Sequence, residues 1–189
     1  MIDMIRAIRD IFSRLGAPAG ASMSADIADI KAVNVSMMQF ESATEAIIVI
    51  PAIGADLPFP SVVVAGIPAT ATILRVDMFL LVGALFDTSG AENQVKVGTT
   101  DQLFVKDSGD GWGDSIACLN FDALSLQVDA NAYRGGTPIM GAIDIKAVVD
   151  GDGTYNFQSD ETTKTKGVEA TGGTLELLDV SVHIRVWFS

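Results

Sequence analysis

Residues 177–189, Leu177 to Ser189, read LLDVSVHIRVWFS. Leu178, Val180, Val182, Ile184, Val186 and Phe188 fall on one face of an extended chain, while Asp179, Ser181, His183, Arg185 and Trp187 fall on the other. A period of two is the signature of a β-strand with one side against a core, because successive side chains of extended backbone point in opposite directions. The β-branched residues, stiff at the first side-chain torsion, suit that pleated surface.

The same pattern recurs toward the N-terminus. Leu124, Leu126 and Val128 oppose Ser125, Gln127 and Asp129, and Ile143, Ile145, Ala147 and Val149 oppose Asp144 and Lys146. Further strands are expected over 33–41, 45–50, 61–65, 70–86, 94–97, 102–106 and 114–119, with Gly, Asp and Pro as punctuation. Many short strands separated by turns predict a mainly β chain, an antiparallel β-sandwich or jelly roll. The stretch Met78–Phe86, MFLLVGALF, is apolar on both faces, with Gly83 as a candidate bulge. Its second face needs a cover, which in a two-sheet sandwich is a loop, the N-terminal helix or another subunit, and another subunit is the expected one.

Before Val33 the period lengthens. Met1, Ile5, Ile8, Phe12 and Leu15 are spaced four, three, four and three, a heptad-type seam widened by Met4 and Ile11. Gly16 and Pro18 are stop signals, Ser22 or Ser24 can cap a restart, and Met23, Ile27 and Ile30 repeat the spacing. Two short N-terminal α-helices, Met1–Leu15 and Ser24–Lys31, are therefore expected ahead of the β domain. The division is 1–32 as an anchor and oligomerisation segment and 33–189 as the sandwich. Helices this short gain stability only by packing, so the seam is read as a docking device with a trimer as the expected assembly.

Charge supports that division. The 189 residues are 49% hydrophobic and 19% charged, with a net charge of −12, leaner in charge than the roughly 25% of an average soluble domain. Acidic and basic side chains cancel within residues 1–32, so the β domain carries the whole excess. An acidic body repels phosphate backbones, which argues against direct nucleic-acid binding. No apolar stretch reaches the length of a membrane-spanning helix, and the charged N-terminus is not a secretory signal. Asp3 and Asp10 also dilute the basic face that anionic lipids would attract. The single Cys118 can form no internal disulfide and reads as a core residue.

Candidate chemistry is sparse. Asp150–Glu161, DGDGTYNFQSDE, imitates a calcium loop through Asp150, Asp152 and Glu161, but Tyr155 stands where the sharp turn needs glycine. It reads as a solvated acidic hairpin turn following a strand. Asp107, Asp110 and Asp114 gather around glycines in Val105–Ile116, a hairpin tip that could hold a cation weakly. His183 is the only histidine, with no nucleophile-elbow motif beside it. There is no phosphate-binding loop, dinucleotide fingerprint or paired-cysteine motif, so no cofactor, no metal and no catalytic residue is assigned. Trp112, Tyr133 and Tyr155, placed in expected loops, are candidate platforms for stacking a ligand such as a glycan.

Several blocks resemble structural proteins of tailed phages, prophages and related environmental viruses. They are LGAPAGASMSADIADIKA at the N-terminus, GIPATATILRVDMFLLVGALFDTSGAENQV (Gly66–Val95), GWGDSI (Gly111–Ile116), VDGDGTYNFQ (Val149–Gln158) and the closing LLDVSVHIRVWFS. The resemblance implies a virion component: a capsid decoration, turret or minor capsid protein, located in the virion and partnered by itself and by other virion proteins such as the capsid shell. It transfers no site residue. The alternative within that resemblance is a carbohydrate- or receptor-binding tail appendage.

Overall fold

The computed structural model describes residues 35–87, 93–94, 102–121, 127–128, 133–140, 143–171 and 173–189. The two expected helices lie outside the described residues, together with their seam Met1, Ile5, Ile8, Phe12, Leu15, Met23, Ile27 and Ile30 and the expected boundary after residue 32. So do residues 124–126 and 95–97 of two expected strands.

Residues 37–188 form one compact unit. Its strands are β1 (Ser36–Glu41), β2 (Glu45–Ile50), β3 (Leu57–Val64), β4 (Ile73–Asp87), β5 (Asn93–Gln94), β6 (Gln102–Asp107), β7 (Ile116–Asn120), β8 (Gln127–Val128), β9 (Tyr133–Met140), β10 (Gly153–Ser159) and β11 (Leu175–Phe188). One sheet runs β1–β11–β4–β9 with β2 also on β11, the second runs β3–β10–β6–β7, and β5 pairs β8 in a small ribbon. The described pairings are antiparallel.

β1 and β2 are two halves of one edge strand, interrupted at residues 42–44. At the break Ser42 N–H donates to the Val182 carbonyl at 2.9 Å, and Val182 N–H donates to Ser42 Oγ at 2.9 Å. The hydroxyl stands in for the ladder carbonyl that the interruption removes. With β1 and β2 taken together and the ribbon set aside, first and last strands are neighbours in one sheet, and second and seventh in the other. That is the winding of a jelly roll, so the expected antiparallel sandwich is realised in the described residues.

The core lies between the sheets, with Val76, Leu80, Val182 and Ile184 from one and Val62, Leu103, Val105 and Phe157 from the other at 1% exposure or less. Phe59 of β3 and Phe121, directly after β7, meet within it with ring centroids 6.2 Å apart. Each such side chain contributes about 1.5–3 kcal/mol by leaving water.

Three expectations are corrected. Ile143–Val149 is not a strand. Asp144 Oδ1 accepts from the backbone N–H groups of Val76 (3.0 Å) and Lys146 (3.1 Å), and Val148 and Val149 N–H donate to the Ile145 carbonyl. The aspartate thus offers the backbone a turn in place of a ladder, and Ile145 and Val149, four apart, turn inward together at 0% exposure.

Gly83 is not a bulge, because the β11–β4 pairing keeps one register on both sides of it, Leu178 opposite Ala84 and Val180 opposite Val82. What changes there is facing. Val76, Met78, Leu80 and Val82 point inward before Gly83, and Leu85 and Asp87 after it. On β11, Leu175 and Leu177 point inward before Asp179, and Val180, Val182 and Ile184 after it, so Leu178, expected on the face of Val180, is turned to the outer face beside Ile47. Asp179 has φ of 51°, a left-handed conformation that aspartate tolerates better than most residues. A Cβ on Gly83 would lie 2.8 Å from the Asp179 Cβ, so only glycine fits opposite it.

Finally, Tyr133 and Tyr155 sit in strands rather than loops, in β9 and β10. β9 was hidden by Gly135, Gly136 and Pro138, and β10 by the acidic turn that leads into it.

Candidate functional site

The outer face of the β2–β11–β4 region carries the least expected surface of the unit. Cross-strand register places Ile47 beside Leu178 and Leu178 beside Ala84, and in the next row Val49 beside Glu176 and Glu176 beside Phe86. Ile47 is 51% exposed, Val49 44% and Leu81 37%. Along β2 the edge turned away from β11 has no partner among the described strands. A groove of about 470 Å³ opens there, lined by Glu45, Ile47 and Val49 from β2 and by Pro58, Pro60 and Ser61 from β3.

The far end of the same face carries paired polar side chains beside the exposed Met37 of β1. Arg185 stacks over the Phe79 ring at 4.3 Å and donates from Nε to Gln39 Oε1 at 3.3 Å. Trp187 Nε1 donates to Asp77 Oδ2 at 3.1 Å, and Arg75 Nε donates to Asp77 Oδ1 at 2.5 Å. That bond to Asp77 raises the Arg75 pKa.

His183 belongs to this end. Ser181 Oγ lies 3.0 Å from His183 Nε2, and Glu41 Oε1 lies 3.8 Å from the same nitrogen. Strand alternation alone did not reveal that Ser181 and His183 are bonded. A nucleophile–base–carboxylate relay needs the carboxylate on the opposite ring nitrogen from the hydroxyl. With both groups on one nitrogen and Ser181 and His183 only 6% and 7% exposed, the trio ties β1 to β11 and offers no open nucleophile.

The acidic stretches are absorbed by backbone. Asp152 accepts from Gly66 N–H at 2.8 Å and Ile67 N–H at 2.9 Å, whereas Glu161 Oε2 accepts from Gly167 N–H at 2.9 Å. Asp152 and Glu161 are thus engaged on separate segments. At the β6–β7 tip, Lys106 places its ammonium among the carbonyls of Asp107 (3.2 Å), Ser108 (3.5 Å) and Asp110 (2.5 Å). Asp107 Oδ1 accepts from the Gly109 N–H at 2.9 Å, so this carboxylate too is engaged by backbone. Among the described residues no group of three or more His, Cys, Asp or Glu gathers for one.

Two of the three stacking candidates, Trp112 and Tyr155, are engaged within the chain. Trp112 begins a 3-10 turn, Trp112–Asp114, half-buried with the Lys106 ammonium 5.3 Å from its ring centroid. Tyr155 is 1% exposed and donates its hydroxyl to the Gly151 carbonyl at 2.9 Å, so its ring is core. Burial pushes its pKa up, against the lowering by the Gly151 bond. Its alternation with Phe157 was the signal for that placement. Tyr133 pairs with Phe86 across β9 and β4. Cys118, fully buried with its thiol bonded to the Leu103 carbonyl at 3.3 Å, has its pKa pushed far up by burial. The residues that sequence reasoning missed are Ile47 and Val49. Four consecutive apolar residues in β2, Ile47–Ile50, carried the same two-faced signal as Met78–Phe86.

No known protein family matches the chain, and no curated protein matches it by sequence. Solved structures with some similarity include BuGH86 in complex with neoagarooctaose (TM-score 0.40, 10% identity, 81% of this chain and 19% of that one). The STIV MCP is similar at TM-score 0.39 and 11% identity over 82% of this chain and 48% of that one. The infectious bursal disease virus VP2 subviral particle is similar at TM-score 0.34 and 12% identity, over 82% of this chain and 39% of that one. The chain spans less than half the length of each of these.

Proposed function

We propose that this chain is a non-enzymatic structural subunit of a virion, such as a capsid decoration, turret or minor capsid protein, held in an oligomer. The observation that carries the reading is that Ile47 and Val49 of β2 and Leu81 of β4 stand exposed on one sheet. A sheet face of that kind is a contact surface more often than a solvated one. The sequence resemblance to phage and viral structural proteins points the same way. In this reading the neutral segment 1–32 supplies the attachment seam to the shell or to sister copies, with a trimer as the expected order, and the acidic β domain faces outward.

The test is the solution mass of the full chain against that of a chain beginning at Val33. The expected result is an oligomer of the 19.8 kDa chain that loses subunits when residues 1–32 are removed. Equal monomeric masses for both would overturn the reading.

A further inference from the structure

We propose that β2 is a self-association edge, on which a second copy of this chain adds its own β2 antiparallel across a twofold axis. The proposal rests on the oligomeric-subunit reading and names its surface. Exposed sheet edges are templates for pairing, and folded proteins ordinarily blunt them with proline, charge or a cover. β3 carries Pro58 and Pro60, and β9 carries Pro138. β7, the remaining edge of the second sheet, exposes no large apolar side chain. β1 exposes one large apolar side chain, Met37, whereas β2 (EAIIVI), the other half of that edge, has no proline, a single charge at Glu45 and two exposed apolar side chains, and a groove lies open along it.

The occupant follows from register and charge. Residues directly opposite in an antiparallel pair share a face, so pairing must set the outward residues, 47 and 49, against one another. Centring the twofold on Ile48 does this: Ile47 of each copy faces Val49 of the other, and the two exposed pairs become one apolar patch. Moving the centre by one residue toward the N-terminus would place Glu45 against Val49, and by one toward the C-terminus would place Pro51 against Ile47. In the centred register each Glu45 stands about 20 Å from its counterpart, about twice the screening length at physiological salt. A chain of net charge −12 can therefore meet itself along this line without opposing like charges. A twofold here and a seam in residues 1–32 are different surfaces, so together they join more copies than either alone.

The experiment uses the full chain and reads mass by light scattering over a dilution series. Ile47→Lys/Val49→Lys sets like charges opposite each other and is expected to weaken the pairing at least about tenfold. Ile47→Lys/Val49→Glu sets opposite charges against each other in the proposed register and is expected to keep the parent mass. In the unmodified chain, amide exchange within β2 is expected to slow as concentration rises, a measurement that needs no variant. A folded Lys/Lys variant with the parent's oligomeric mass, or β2 amides indifferent to concentration in an oligomeric chain, overturns the β2 edge and leaves the oligomer reading standing. Loss of assembly in both double variants overturns the register. A full chain that is monomeric throughout overturns both readings.

Discussion

The two sheets of this jelly roll are built from similar strands, yet their outward faces are finished differently. On the β3–β10–β6–β7 sheet the outward residues, apart from the exposed Val63 at the end of β3, are mostly polar or roofed by the chain itself. Ser61 donates to Asn156 across the sheet at 2.7 Å, and Lys106 is 8% exposed beneath Trp112. Lys164 lies over Phe104 at 5.8 Å while it donates to the Gly113 carbonyl at 2.8 Å. On the β2–β11–β4 side, ion pairs and stacking finish one end and leave Ile47, Val49 and Leu81 exposed at the other. A face closed by lysines and loops contributes to the stability of the single chain. A face left apolar contributes little until something covers it.

That contrast can be broken first where the open sheet is shaped. Gly83→Val would drive a branched side chain into Asp179, where even a Cβ lies at 2.8 Å. The expected cost is about 3 kcal/mol of unfolding free energy, measured by urea denaturation. Next comes the roof of the closed sheet. Lys106→Met removes the donor to three carbonyls and is expected to cost about 2 kcal/mol, with increased exposure of Trp112 seen in its fluorescence.

A smaller effect is expected from the turn beside β3. Hydrogen bonds from the Thr162 hydroxyl and N–H, with a further one from Glu161 N–H, hold the Asp56 carboxyl below its ordinary value. A carboxyl depressed in the folded state stabilises it near neutral pH and loses that contribution as pH falls through the lowered value, below about pH 4. Asp56→Asn should therefore flatten the fall of Tm between about pH 5 and about pH 2. The smallest effect on folding separates the two faces most sharply. Ile47→Lys/Val49→Lys should change unfolding free energy by no more than about 0.5 kcal/mol, although it removes subunits from the assembly. A loss of several kcal/mol would mean that Ile47 and Val49 belong to the core of the single chain.

Much of the jelly roll was legible because half-buried strands write their facing directly into the sequence, as β11 does from Val180 to Phe188. β2 and β6 were legible to within a residue as short apolar, β-branched runs bounded by polar residues or proline. The misreadings arose where a local device outweighed alternation. Ile143–Val149 alternates like a strand, but the Asp144 carboxylate closes a turn on Val76 and Lys146. Pro58 and Pro60 disguised the start of β3, which tolerates them because it is an edge. At the candidate site, the two-faced character of Met78–Phe86 was visible, whereas the exposure of β2 depends on which strand lies beside it. That is a property of topology, which no short window of sequence records.

Gly83 and Asp179 carry a final consequence, best put in terms of parity. Register counts residues along two strands, and facing counts them modulo two. The pair at Gly83 and Asp179 reverses the second count in both strands and leaves the first untouched. Because the two reversals cancel only together, neither residue is free to change alone. A chain that straightened one strand would send Leu85 and Asp87, or Leu175 and Leu177, to the wrong side of an otherwise correctly paired sheet.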